Sequence, residues 1–229
     1  MSNRTGAPAT RTLTRRSHWA ATACLWGGLV GFAQAIAVIV MPTSTSEERY
    51  SFPFTEGGYV AAQLSFFLQH LPLIAGLALL LSLPLVRRSR GAKAGIAAGL
   101  VGMVLLAVME LVAISAAGEA TGSSRAELVN GLYGVPTILT GVGLLVGGIA
   151  LLRSNAASPD TAPWVPLVVT FLGAWVFVPL LPAIMGPHVL GRLAIGGWML
   201  LFAALGWGLG HRRTAAGGRG EAASPVQPA

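Results

Sequence analysis

Long apolar stretches alternate with short polar segments along this 229-residue chain. Each of the six stretches is close to the ~20 apolar residues with which an α-helix crosses ~30 Å of hydrocarbon. The pattern therefore predicts an all-α fold, a polytopic membrane helix bundle with six transmembrane helices. The predicted spans cover residues 18–41, 59–85, 92–117, 128–152, 164–185 and 189–210.

The segments outside these spans are polar. Residues 1–17 are rich in Thr, Ser and Arg, and residues 214–229 in Gly, Ala and Pro, so both are predicted to be disordered tails of a transmembrane domain at 18–213. The first apolar run is longer than the roughly 7–15 residues of a signal-peptide core, which favours an uncleaved span. Between spans one and two, a short turn is expected at residues 51–54.

Basic residues are distributed unevenly between the two sides of the predicted bundle. With an even number of spans, both termini lie on one side, and 12 of the 15 Lys and Arg residues fall there, in the tails and in the loops after spans two and four. The other three are Arg49, Arg125 and Arg192. Because basic residues concentrate in cytoplasmic segments, both termini are predicted to be cytoplasmic. The opposite, external loops are acidic, with Glu47, Glu48, Glu56, Glu119 and Glu127.

Composition agrees with a membrane location and limits the partners. Hydrophobic residues make up 54% of the chain and charged residues only 10%, against about a quarter in soluble domains. The net charge of +7 is explained by basic residues at helix ends, so nucleic acid is not an expected partner. We expect a multi-pass protein of the cell membrane, surrounded by a lipid bilayer with anionic headgroups; a membrane-protein partner or a homo-oligomer stays open. The richness in Ala, Gly, Leu and Val is typical of bacterial membrane proteins from GC-rich genomes.

Polar side chains inside the spans are the first place to look for function, because they are costly in hydrocarbon. Gln63 and His70 of span two are seven residues apart and share one helix face, which Tyr59 joins. Glu110 lies on the glycine-bearing face of span three, and small residues mark close helix contacts, so its side chain should point into the bundle.

Two further helices carry polar residues on a face with small residues. Span four has a stripe of Asn130, Tyr133, Thr137 and Thr140, and span six has Arg192. Counted from the external ends, most of these groups lie in the outer half of the bundle, at roughly 6–11 Å, with His70 and Thr140 near the midplane. The candidate ligand or proton site comprises Glu110, His70, Gln63, Arg192, Tyr133, Gln34 and Thr137.

A structural role for these groups is favoured over a proton relay or transport. Glu110 would pair with Arg192 or accept a hydrogen bond from His70, and either contact would join helices. Pro72 leaves the carbonyl of Leu68 without its helical donor, so a polar-stabilised kink explains His70 at least as well as ligand binding does.

Known motifs of catalysis do not occur in the spans. There is no GxSxG, HExxH or pair of aspartates, and Cys24 is the single cysteine, so neither catalytic residues nor a metal site are predicted. Only His70 among the histidines lies at the depth of a haem ligand, so no cofactor is predicted. The sequence favours a non-enzymatic sensor, accessory or scaffold protein with an externally facing polar cluster. The alternative is a small-solute or proton-coupled permease that uses Glu110, against which the apolar inner half argues.

Overall fold

The computed structural model describes residues 7–154 and 162–210, with side chains from Ser17 onward. The α-helices of this part are α1 Ala7–Val40, α2 Glu56–Ser82, α3 Pro84–Arg88, α4 Arg90–Ala113, α5 Ser124–Arg153, α6 Val165–Trp175, α7 Leu181–Ile184 and α8 His188–Gly210. A 3-10 turn, Ile114–Ala116, extends α4, and a π-helical turn, Val176–Leu180, joins α6 to α7. Within the described ranges, six helical stretches are long and apolar enough to cross a membrane, which confirms the predicted all-α, multi-pass bundle.

Several helix boundaries differ from the predicted ones by a few residues, and two of these differences are informative. The second span was expected to run to residue 85, but α2 ends at Ser82, because Leu83 precedes Pro84 and adopts an extended conformation. At the other end of the chain, α1 begins at Ala7, within the segment predicted to be disordered, although its membrane-compatible part begins only at Ser17. Extending an existing helix costs far less than nucleating one. Residues 1–6 and the predicted tail at 214–229 lie outside the described residues.

The fifth span is not a continuous α-helix. Pro179 lies in its π-helical turn, and Pro182 follows in the first turn of α7. Proline has no N–H group to continue the helical hydrogen-bond ladder, so the ladder is interrupted here. This span is therefore the one whose backbone departs most from a regular α-helix.

The six spans form a closed ring in chain order. α1 packs on α2, α2 on α4, α4 on α5, α5 on α6, α6 on α8, and α8 returns to α1, while α2 also touches α8. We call the end of the bundle that holds α3 and the start of α1 the basic end, and the end that holds the loops 41–55 and 117–123 the acidic end. The side of the membrane on which each end lies stays a prediction.

Glycine pairs allow the closest helix contacts, as the sequence predicts. A Cβ atom built on Gly95 would lie 2.7 Å from the carbonyl oxygen of Gly143, and one built on Gly143 would lie 2.7 Å from the carbonyl oxygen of Gly95. On the other side of the ring, a Cβ atom on Gly27 would lie 2.6 Å from Cγ of Pro72. The backbones of neighbouring helices are therefore in direct contact, which in membranes replaces hydrophobic burial as the source of helix association.

The two loops of the acidic end are hydrogen-bonded to each other. The amide of Tyr50 donates to the carbonyl of Glu119, and the amide of Thr121 donates to the carbonyl of Glu48. The expected turn at residues 51–54 is present, with the amide of Phe54 donating to the carbonyl of Ser51 at 2.8 Å. These loops cover the acidic end of α2 and α4, and they bring a tyrosine to the polar residues below.

Candidate functional site

Glu110 and Tyr133 form the contact at the centre of the site. α4 carries Glu110, α5 carries Tyr133, and the phenol hydroxyl donates a hydrogen bond of 3.0 Å to the carboxyl of Glu110. These two helices are also the pair joined by the glycine contacts, so the two side chains are held by a closely packed seam. A carboxyl within a span is stable only if it finds such a donor, because the hydrocarbon offers none.

Two more tyrosines lie beside this contact. Gln63, on α2, donates a hydrogen bond of 2.7 Å to the hydroxyl of Tyr59. The rings of Tyr59 and Tyr50 meet edge to face, with their centroids 5.9 Å apart. Tyr50 in turn donates a 2.9 Å hydrogen bond to the side-chain oxygen of Asn130 on α5. We call this set the tyrosine cluster: Tyr50, Tyr59, Gln63, Glu110, Asn130 and Tyr133.

The cluster connects the loop at the acidic end with the spans. Tyr50 lies in that loop, and burial raises the pKa of its phenol, with a hydrogen bond to Tyr59 acting in the opposite direction. Its hydroxyl therefore stays protonated near neutral pH and is a hydrogen-bond donor there. Phenols from three different segments of the chain thus lie near the carboxyl of Glu110, and the one on Tyr133 donates to it.

Arg192 is placed near Glu110 without pairing with it. Among the described residues, the only ion pair shorter than 4.0 Å joins Arg125 to Glu119, so the predicted Glu110 to Arg192 pair is not formed. The guanidinium lies 5.7 Å from the ring centre of Phe66, a cation–π contact, and still acts electrostatically on Glu110. The ring order explains this, because α8 and α4 lie on opposite sides of the bundle and α2 reaches between them.

His70 does not meet Glu110 either, contrary to the other predicted contact. Its Nδ1 atom lies 2.7 Å from the carbonyl oxygen of Phe66, one turn earlier in the same helix. A carbonyl accepts only, so Nδ1 carries the proton. His70 therefore satisfies its hydrogen bond within α2, close to Pro72, which agrees with the structural explanation for this residue.

The remaining predicted residues lie outside the cluster or contact it only through the backbone. The side chain of Thr137 donates to the carbonyl of Tyr133 at 2.7 Å, within α5. Gln34 donates a 2.6 Å hydrogen bond to the hydroxyl of Ser65 and contacts α2 from α1. Of the seven predicted site residues, Glu110, Tyr133 and Gln63 thus belong to the tyrosine cluster, in which Tyr133 is hydrogen-bonded to Glu110 and Gln63 to Tyr59.

Several polar residues that contact other segments of the chain were missing from the predicted site, among them Tyr50, Tyr59, Asn130 and Gln69. Tyr59 was placed on the helix face of Gln63 but not among the site residues. Tyr50 belongs to a loop, where no helical period predicts which side chain turns inward. Asn130 was placed on the polar stripe of α5, but its partner Tyr50 could not be inferred. Gln69 is buried and donates a 2.9 Å hydrogen bond to the carbonyl of Gly27. The only feature that could have indicated this contact is the close approach of Gly27 to α2 beside Gln69.

Below the cluster, towards the basic end, the core is apolar. The most deeply buried side chains of this half are aliphatic or aromatic: Leu77, Leu80, Leu144, Val165, Val169, Phe202 and Leu205. The hydroxyl of Thr140, at the boundary of the two halves, is hydrogen-bonded to the carbonyl of Pro136 in its own helix. The described part of the bundle therefore has a polar half at its acidic end and a tightly packed apolar half at its basic end.

Comparison of the chain with protein-family models, with curated proteins and with solved structures gives no match in any of the three. The chemistry of the site must therefore be inferred from its geometry alone. A carboxyl among phenols, with a guanidinium nearby, can bind and release a proton or hold a small polar ligand.

Proposed function

We propose that this membrane protein is a non-enzymatic sensor or accessory subunit that responds, through its tyrosine cluster, to protons or a small polar ligand at the acidic end. The observation that carries the proposal is the hydrogen bond from Tyr133 to Glu110, within a cluster whose other members lead to the loop at that end. A carboxyl placed in a span is a functional candidate by default, because its burial is costly.

A binding group that protons can reach from only one end of the bundle favours a sensor over a transporter. Tyr50 and the exposed Asn130 lie between Glu110 and the acidic end, which supports exchange of protons on that side. Towards the basic end, side chains such as Leu77, Leu144 and Phe202 fill the core. A transporter needs its binding group to be reached alternately from both sides, and a sensor needs only one.

The response would involve the position of α8 relative to α4 and α5. An ionised Glu110 attracts the guanidinium of Arg192, and a protonated one does not, so the electrostatic energy between the helices changes with the proton. The groups that face Glu110 are Tyr133 from α5, Tyr59 from α2, Tyr50 from the loop and Arg192 from α8.

The alternative, a proton-coupled or small-solute permease, would use Glu110 as the titrating group. Pro72 in α2, Pro136 in α5 and the π-helical turn of the fifth span are the places where helices could bend to open the apolar half. These possible bending points keep the permease as the second candidate.

The variant Glu110→Gln separates the two functions. In proteoliposomes, a sensor passes no protons down a pH gradient, whether residue 110 is glutamate or glutamine. Its intrinsic tyrosine and tryptophan fluorescence changes with pH in the wild type and no longer does so in Glu110→Gln. The glutamine still accepts the hydrogen bond of Tyr133, so the fold is kept. Glu127→Gln, at an exposed carboxylate in the first turn of α5, is the matched control and should respond like the wild type. Proton flux that disappears in Glu110→Gln would establish the permease.

A further inference from the structure

A groove of about 530 Å³ opens at the basic end, between the start of α4 and the last turns of α5. It is unrelated to the tyrosine cluster, which lies at the opposite end of the bundle. The groove is lined by Ser89, Val146, Ile149, Ala150, Arg153 and Ser154. Its walls are of two kinds, since the residues towards the middle of the span are apolar and those at the helix ends are polar or basic.

The dimensions of the groove match the boundary between lipid headgroups and acyl chains. Arg153 is the last residue of α5, and Val146 lies seven residues earlier, which places it about 10 Å deeper. Val146 is 49% exposed within the protein, so its side chain faces lipid. A molecule in the groove would therefore contact a cation at the membrane surface and aliphatic side chains below it.

Among the residues that the structure describes, the charge around the groove is of one sign. The basic residues of this end are exposed, and they include Arg87, Arg88, Arg90, Lys93 and Arg153. Every acidic residue in the described part of the chain lies in the spans or loops of the other half. The ion pair of Arg125 with Glu119 is the only one among the described residues, so the basic residues of this end have no described carboxylate within 4.0 Å.

We propose that this groove is a binding site for an anionic phospholipid, with the phosphate at Arg153 and Ser89 and an acyl chain along Val146 and Ile149. The apolar wall selects a lipid over a soluble phosphate compound, and the basic rim selects an anionic headgroup over a zwitterionic one. Basic pockets between membrane helices bind anionic headgroups in this way.

Native mass spectrometry of the full chain in detergent tests the site. Phosphatidylglycerol and phosphatidylcholine with identical acyl chains are added at equal concentrations, and the bound fraction of each is measured. We expect phosphatidylglycerol to be retained preferentially, and Arg153→Gln to weaken its binding about five-fold, which corresponds to about 1 kcal/mol for a basic residue near an anionic surface. Arg87→Gln removes the same charge at the same end, at a residue that does not line the groove, and should change the binding less than about two-fold.

A second pair of variants tests the apolar wall without changing charge. Val146→Trp fills the groove and should abolish retention of phosphatidylglycerol, whereas Val142→Trp, one turn away and 46% exposed, should leave it intact. Melting temperatures of both variants in detergent verify that they are folded. Equal losses in Arg153→Gln and Arg87→Gln would overturn the proposal in favour of diffuse surface attraction. Equal retention of phosphatidylcholine, or an unaffected Val146→Trp, would overturn it as well.

Discussion

Tyr133 determines how the carboxyl of Glu110 is held in the bundle. Its hydroxyl is the hydrogen-bond donor that Glu110 finds, at 3.0 Å, although Arg192 carries a full charge nearby. A neutral donor on the adjacent helix is sufficient here because α4 and α5 are in backbone contact, which fixes the distance between the two side chains. Single hydrogen bonds between membrane helices are worth about 0.6 kcal/mol on average, and those to charged groups more.

We therefore predict that Tyr133→Phe lowers the free energy of unfolding by about 1 kcal/mol, because the carboxyl loses its donor. Unfolding in mixed micelles, followed by circular dichroism, measures the change. The double variant with Glu110→Leu is the decisive comparison, because leucine cannot accept the hydrogen bond of Tyr133 and two residues that act on each other give non-additive effects. Strictly additive losses in the double variant would show that Tyr133 stabilises the bundle by some other contact.

The seam between α4 and α5 shows what the helices require of their sequence. The carbonyl of Gly143 lies where a side chain at Gly95 would be, and the reverse contact is equally close. Backbone atoms cannot move aside as a flexible side chain can, so any larger residue must separate the helices. The polar contact of Glu110 with Tyr133 depends on this same separation.

The variant Gly95→Ala should accordingly destabilise the protein by about 2 kcal/mol, in the range observed for overpacked cores. Gly131→Ala is the matched control on α5, because nothing lies within 4 Å of a Cβ atom built there. Alanine favours helix over glycine, so this control should melt at the same temperature or higher. Thermal denaturation in detergent distinguishes the two, and equal melting temperatures would argue against a tight seam.

The existence of these helices could be read from the sequence, but some of their details could not. Apolar length and loop charge predict all six spans, and small residues predict their contacts. Pro84 ends α2 earlier than the apolar run does, and Pro179 accompanies a π-helical turn, because backbone hydrogen bonding and not hydropathy sets these features. Hydropathy alone does not register the loss of one N–H group.

The site was predictable only in part, for reasons of bundle geometry. The helical period places Glu110, Gln63 and Tyr133 on inward faces, and the structure brings them together. The helical period of the sequence does not predict which helices are neighbours. The closed ring puts α8 and α4 on opposite sides, so the expected ion pair of Arg192 with Glu110 is not formed.

The ring as a whole has one basic and one acidic end, and this asymmetry predicts how it is inserted. Twelve of the 15 Lys and Arg residues belong to the basic end and the tails that leave it. Because such residues are retained on the cytoplasmic side during insertion, we predict that the basic end is cytoplasmic.

A fluorescent reporter that matures only in the cytoplasm, fused after Arg213, should be bright, and the same reporter inserted after Thr121 in the acidic-end loop should be dark. Alkaline phosphatase, which is active only outside the cytoplasm, should give the reverse pattern at both sites. If instead the phosphatase is active after Arg213, the tyrosine cluster would face the cytoplasm, and the sensor would respond to conditions inside the cell.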